Sequence, residues 1–457
     1  MKILFYSTNS NHYESGRMEF KMIPSCREQW NSLKEKYPEC DFVIVMQKPG
    51  MFLYDESGVM SDRVKYIFID EQNSDAEKIA QVIINEKPDT AIAVSYWKEP
   101  FDWMSIKDAM IAEKLRDAGI KTVCHDADTC RICFDKNETR QFLINNNFNV
   151  AKGVYVHHEL FYAERGRNCI NENVYREYIF SEIKKLKFPV VIKETSGLSS
   201  YGMDVVTTFN QARHVLLSKK NNGDRVVEEF LDGISFGIEV YGTDGKYLVS
   251  PPLVNSVNQF GLTSPKQNVK LGPVENEKFG VSELRKEVAR LAGLLKFSGI
   301  AQIDLVYSDG AWWFIEINSR ISGMTQTMAF SMGLSLYELI LFSAGVIGWN
   351  GVDDAGGSCN GRLAGHKGFK NVMNLKFPLL DEKALERLSG EDFVGYVNQI
   401  ENLTAKQLRE KGYSEVIFGG NETLSETMKQ LDILNEAYAD KMEKVFYENA
   451  YRLSQII

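Results

Sequence analysis

Residues 299–325, GIAQIDLVYSDGAWWFIEINSRISGMT, decide how this chain is read. An apolar run ending near Tyr307, the turn Ser308-Asp309-Gly310 and a second run from Trp312 to Asn318 form the pattern of a β-hairpin. Glu316 and Asn318 are two positions apart, so an extended strand sets both side chains on one face. Asp304 lies on the partner strand, where pairing across the turn brings its carboxylate toward theirs. Two carboxylates and a carboxamide oxygen, followed by Arg320, make a compact oxygen-rich site, and Trp313, Phe314, Ile315 and Ile317 argue that it is buried. Buried carboxylates need a cation or a proton, and such oxygen donors suit Mg2+ shared with water and phosphate groups. The plainer alternative is a hairpin with one wet face.

Outward from the hairpin, a chain of 457 residues has room for about three domains. Its net charge of -9 argues against nucleic acid or an anionic membrane surface as the main partner. No segment approaches the roughly 18 apolar residues of a membrane span, and the opening MKILFYSTNSN has no cleavage-like pattern. Cytoplasmic residence is the default expectation. The seven cysteines are too few and too scattered for a disulfide framework. Cys124, Cys130 and Cys133 lack an evident fourth ligand even with His125 adjacent, so buried thiols are expected; His157 and His158 are expected to be a solvated loop pair.

Before the hairpin, apolar runs at residues 2–7, 42–46, 66–69, 90–95 and 121–124 alternate with helical patterns such as 76–85 and 106–118, the latter stopping at Gly119. This alternation predicts an open parallel sheet. No G-x-G-x-x-G follows the first strand, so no nicotinamide cofactor is expected; the polar loop 8–15 is a candidate for substrate contacts. A helix from Thr129 leads to a short strand, and the β-branched strand 188–194 carries Lys193 near its end. The loop Thr195-Ser196-Gly197-Leu198-Ser199-Ser200-Tyr201-Gly202 after it is small enough for backbone N–H groups to approach an anion, although such loops are commonly plain turns. Strands follow at 225–231, 236–241 and 247–249, and the polar loop 255–272 carries Lys266 and Lys270, either of which could swing over a site.

These pieces, in this order, resemble the ATP-grasp superfamily of carboxylate ligases, the group of carbamoyl-phosphate synthetase, biotin carboxylase and D-alanine-D-alanine ligase. The resemblance covers roughly residues 1–345 and rests on Asp135-Lys136, Lys193, the glycine-rich loop, Glu228-Glu229-Phe230-Leu231 and Glu316-x-Asn318-x-Arg320. It implies an α/β ATP-grasp fold: a pre-grasp parallel-sheet domain over 1–129, a grasp domain of two α+β subdomains over 130–348 with its lid near 190–245, and an α+β C-terminal extension over 349–457. It also implies ATP and one or two Mg2+, with Mn2+ as a substitute, as cofactors. Lys136 and Lys193 would contact the phosphates, and the loop of Ser196, Gly197, Ser199, Ser200 and Gly202 would fold over them. Glu228 would accept from the adenine amino group, while the backbone of Glu229 and Leu231 reads the rest of the base edge, with Phe230 between them in the cofactor-binding set. Asp304, Glu316 and Asn318 would hold metal, and Arg320 would face the transferring phosphoryl group or the acyl phosphate; Lys266, from the polar loop, is the further catalytic candidate. Relatives place a ribose-binding glutamate where this chain has Ser235, which leaves Glu239 as the substitute.

The activity implied is the joining of a small carboxylate to an amine through an acyl phosphate, with an amino-acid substrate. A non-catalytic ATP-binding protein and a bicarbonate-using carboxylase remain alternatives. Beyond the glycine-rich stretch 349–368, strands are expected at 372–377 and 415–418. A capping box at Thr423 and Glu426 opens a helix striped by Met428, Leu431, Leu434, Tyr438, Met442, Val445 and Phe446. That stripe either packs on the protein's own body or forms a homodimer contact.

Overall fold

A computed structural model describes residues 1–8, 12–13, 16–47, 53, 60–70, 75–94, 104–166, 171–196, 203–218, 221–257, 268–348, 368–402, 412–438 and 444–457. The strands in chain order are β1 (Lys2–Ser7), β2 (His12–Tyr13), β3 (Gly16–Ile23), β4 (Asp41–Gln47), β5 (Lys65–Ile69), β6 (Thr90–Ala93) and β7 (Lys121–Val123). Then come β8 (Gly153–Val156), β9 (Val190–Glu194), β10 (Asp204–Val206), β11 (Arg225–Glu229), β12 (Ile234–Thr243), β13 (Lys246–Val249), β14 (Leu253–Asn255) and β15 (Lys270–Gly272). The last five are β16 (Gly299–Ser308), β17 (Ala311–Asn318), β18 (Asn371–Phe377), β19 (Val394–Asn402) and β20 (Tyr413–Asn421).

Three sheets result. The expected parallel sheet has the order β5-β4-β1-β6-β7, with apolar runs buried on both faces as a helix-covered parallel sheet requires. The helices Ala76–Glu86 and Met104–Asp117 fall where the periodicity puts them, and Gly119 takes the left-handed φ of 80° that ends the second. A small antiparallel sheet, β10-β9-β11-β8, carries Lys193 and Glu228.

The third sheet is the long one, ordered β17-β16-β12-β14-β15-β18-β20-β19-β3-β2 with β13 paired to β12. Alternation along its strands sorts the two faces. Phe236, Ile238, Val254, Ile303, Leu305, Leu271, Met373, Leu375, Val397, Val416 and Phe418 point into one apolar core with the helix Val281–Leu294. The opposite face carries Glu239, Gln302, Asp304, Asn255, Lys270, Asn374 and Glu415 in paired registers. The strands after residue 368 therefore continue the same sheet as the hairpin.

Three local expectations change. The region after residue 126 is two helices, Ala127–Phe134 and Lys136–Asn145, because Asp135 leaves helical geometry and caps the second, accepting from the amides of Asn137 (2.8 Å) and Glu138 (2.9 Å). The C-terminal stripe is likewise two helices, Leu424–Ala437 and Lys444–Ser454, with the expected capping box at Thr423 and Glu426. Leu431, Leu434, Tyr438 and Phe446 are buried in the chain's own core. His157 caps the short helix His158–Phe161, and the His158 ring packs edge-on against Tyr162, so neither is simply solvated. Cys124, Cys130 and Cys133 are buried free thiols, and burial pushes the Cys133 thiol up to about 12. His125, lowered to about 4 by burial, accepts from Ser298 N–H and donates to Ile300 O.

Candidate active site

The hairpin forms as read, and its register sets Asp304 opposite Glu316 and Gln302 opposite Asn318. A register shift between Asp304 and Leu305 marks a bulge beside the acidic pair. Gln302 joins the set: its Nε2 donates to Asp304 Oδ1 at 2.7 Å, and its Oε1 accepts from Asn318 Nδ2 at 2.8 Å. Arg320 Nη2 donates to Asn318 Oδ1 at 3.0 Å, which completes an Arg-Asn-Gln-Asp chain along one face.

The lysines come from the opposite side. Capping by Asp135 fixes Lys136 at the start of its helix, the Lys136 amide donates to Thr195 O at 2.7 Å, and its ammonium lies 3.1 Å from Glu316 Oε1. Lys193 is buried on β9 and pairs with Glu228, whose other oxygen lies 3.3 Å from Arg140 Nε. Arg140 follows Lys136 by one helical turn.

Electrostatics divide the acidic pair. Burial, then the facing Glu316, pushes Asp304 up to about 6. Burial also pushes against ionisation of Glu316, but Lys136, with Lys193 and Arg320, prevails and holds it below the usual carboxylate range. Among the described residues no group of three His, Cys, Asp or Glu side chains gathers, so the donor set is two carboxylates and one carboxamide oxygen. Such a set fits Mg2+ that completes its shell from substrate phosphate and water.

The structure therefore brings together Lys136, Lys193, Asp304, Glu316, Asn318 and Arg320. Gly197, Ser199, Ser200, Gly202 and Lys266 lie outside the described residues; Ser196 sits in the turn directly after β9. The Glu229 carboxylate accepts from Lys187 N–H at 2.9 Å. The amides of Glu229 and Phe230 are committed to Lys152 O and Pro189 O, so an adenine edge reaching Glu229 would meet its carbonyl rather than its N–H. Leu231 follows the end of β11.

Glu239 corrects an expectation. It has no exposed surface, and its oxygens accept from Tyr241 (2.6 Å), Ser322 (2.7 Å) and Thr325 (2.6 Å), leaving nothing for a ribose. It instead ties β12 to the loop after Arg320. Burial raises it to about 7 against those three hydrogen bonds and Lys270. The folded state thus keeps a proton between pH 4.5 and 7 that the unfolded state has lost, so stability declines as pH rises through that window. The decline should be on the order of 3 kcal/mol, and denaturant titrations of Glu239→Gln should show the slope flattened.

Gln302 and Arg140 were the functional neighbours that motif reading passed over. Gln302 is two residues before Asp304 on one strand and Arg140 four after Lys136 on one helix, so both periodicities contained the signal.

Comparison with known proteins shows what the chain is similar to. Residues 167–340 match the family model of the D-ala D-ala ligase C-terminus. A carbamoyl-phosphate synthase of Methanobrevibacter smithii is 22% identical over 303 residues, covering 65% of this chain and 75% of that protein. A D-alanine–D-alanine ligase of Buchnera aphidicola subsp. Schizaphis graminum is 30% identical over 177 residues, covering 36% of this chain and only 56% of that one. Among solved structures, an L-amino acid ligase from Bacillus licheniformis superposes with a TM-score of 0.62 at 16% identity over 95% of this chain and 97% of that one. Sheet order and superposition give this chain the fold of the ATP-grasp ligases, and its matched segment and relatives are similar to enzymes of that kind.

Proposed function

We propose that the protein is an ATP- and Mg2+-dependent ligase that activates a carboxylate as an acyl phosphate and joins it to an amine, with an amino acid among its substrates and ADP and phosphate as products. The observation that carries this reading is the register pairing of Asp304 with Glu316 on a face that Lys136, Lys193 and Arg320 also reach electrostatically. A carboxylate is a poor electrophile, so one of its oxygens first attacks the γ-phosphorus while the bond to the β-phosphate oxygen breaks. The amine nitrogen then attacks the acyl carbon, phosphate leaves, and the nitrogen gives up a proton.

Asp304, Glu316 and Asn318 would hold Mg2+, which when bound neutralises charge on the β- and γ-phosphates. Lys136 and Lys193 exchange their carboxylate partners for phosphate oxygens, and Arg320, positioned by Asn318, faces the developing charge on the phosphoryl group. The chain's work is positioning and charge stabilisation rather than covalent chemistry. Among the described residues no helix is long and apolar enough to cross a membrane.

The test is incubation with Mg-ATP and pools of amino acids. Phosphate release that depends on the amino acid, with ADP as the nucleotide product, is expected. Formation of AMP and pyrophosphate would overturn the mechanism, and no turnover with any carboxylate would return the protein to a nucleotide-binding reading.

A further inference from the structure

The polar face of the long sheet continues past the hairpin into the strands after residue 368. Asn255 on β14 faces Lys270 on β15, and Lys270 faces Asn374 on β18. Two residues farther along β18, Lys376 faces Glu415 on β20, which faces Asn398 on β19. All six side chains are buried.

Two of the three charges in this patch close on one another and one does not. Glu415 lies 3.6 Å from Lys376 and accepts from Asn398 Nδ2 at 3.3 Å, yet the Lys270 side chain forms no ion pair with it and donates no hydrogen bond to any described residue. Lys270 nonetheless feels Glu415, Asp304 and Glu239, which oppose the lowering caused by its burial. The amide oxygens of Asn255, Asn268, Asn374 and Asn398 are buried without a donor. Each such orphan costs about 1–3 kcal/mol, so a set of them beside an unclosed charge describes a ligand's outline.

That outline has two halves. A buried ammonium lacks an anion, and a row of acceptor oxygens next to a carboxylate lacks a polyvalent donor. Water would serve the amide oxygens but bring no charge to Lys270. A metal ion would be opposed by Lys270 and Lys376, and a phosphate would leave Glu415 and the amide oxygens facing more acceptors. A zwitterion supplies both halves, with three N–H donors on one group and a carboxylate a bond or two away.

We propose that this patch is the amino-acid subsite, where Lys270 takes the carboxylate of the substrate to be activated while Glu415 and the Oδ1 atoms of Asn374 and Asn398 take its ammonium. The assignment rests on the ligase reading and deepens it. An amine held protonated on Glu415 is not a nucleophile, so the activated amino acid does not attack its own kind from this subsite. The attacking amine comes from a second molecule.

Calorimetry on the full chain without nucleotide tests the subsite, using an amino acid, its carboxamide and its N-acetyl derivative as probes. Each derivative should bind at least tenfold more weakly than the parent. Lys270→Met and Glu415→Gln should raise the KM for the amino acid tenfold or more while the KM for ATP stays within twofold, and Lys270→Arg should recover part of the loss. Equal binding of the three probes, an unchanged amino-acid KM in both variants, or an ATP KM that rises in step would overturn the assignment. Amino-acid binding without phosphate release would support the subsite and defeat the ligase reading. Phosphate release driven by a carboxylate that lacks an amine, with no amino acid binding, would do the reverse.

Discussion

Glu316→Gln is expected to lower substrate-dependent phosphate release by roughly a thousandfold, the scale seen when a preorganised group that stabilises transition-state charge is removed. Glu316 is the carboxylate of the pair held ionised, by Lys136 first and then by Lys193 and Arg320. The amide substitution keeps the volume and removes the charge, so the loss should fall on turnover rather than folding. Asp304, raised to about 6, should then ionise more readily because its facing charge is gone. It cannot hold a divalent cation alone with the same strength. Steady-state assays with Mg-ATP in excess, alongside thermal melts of both proteins, separate the two effects. Turnover within threefold of the parent would remove the hairpin from the phosphoryl-transfer centre.

Truncation before Thr423 should abolish cooperative folding rather than trim an appendage. The two helices it removes bury Leu431, Leu434, Tyr438, Phe446 and Leu453 against the apolar face that also holds Leu375, Phe377 and Phe418. At about 1.5–3 kcal/mol for each buried side chain, their loss is on the order of 10 kcal/mol, as large as the roughly 5–15 kcal/mol that holds an ordinary domain together. Denaturant melts and soluble yield of the shortened chain report this. A shortened chain that stays folded at half the native mass would assign the helices to a dimer contact instead.

The parallel sheet was legible because its central strands are apolar runs, and the hairpin because a turn sequence separates two such runs. The acidic pair was legible for the same reason, since a two-residue period and a tight turn leave few registers. Lys270 was harder. It was named with Lys266 only as a lysine in a polar loop, because β15 has three residues and the signal for a strand lies in its pairing with Asn374, about a hundred residues away. β19 was missed, and so was β3, which leaves the first sheet to pair with it; neither pairing has a local signature. Glu239 was misassigned because a glutamate near a motif gives no sign that Ser322 and Thr325, more than eighty residues farther along the chain, already claim it.

The neighbour relation of β3 and β19, which runs from Val397 beside Ile23 to Asn402 beside Met18, sets a timetable for synthesis. The parallel sheet, complete by β7, can form while the ribosome is still at work, but β3 must wait for hundreds more residues before its partner exists. Until then its open edge is available to any passing strand, including the same segment of another nascent chain. Expression that is slowed, or assisted by factors that shield newly made polypeptide, should therefore favour recovery of the native protein.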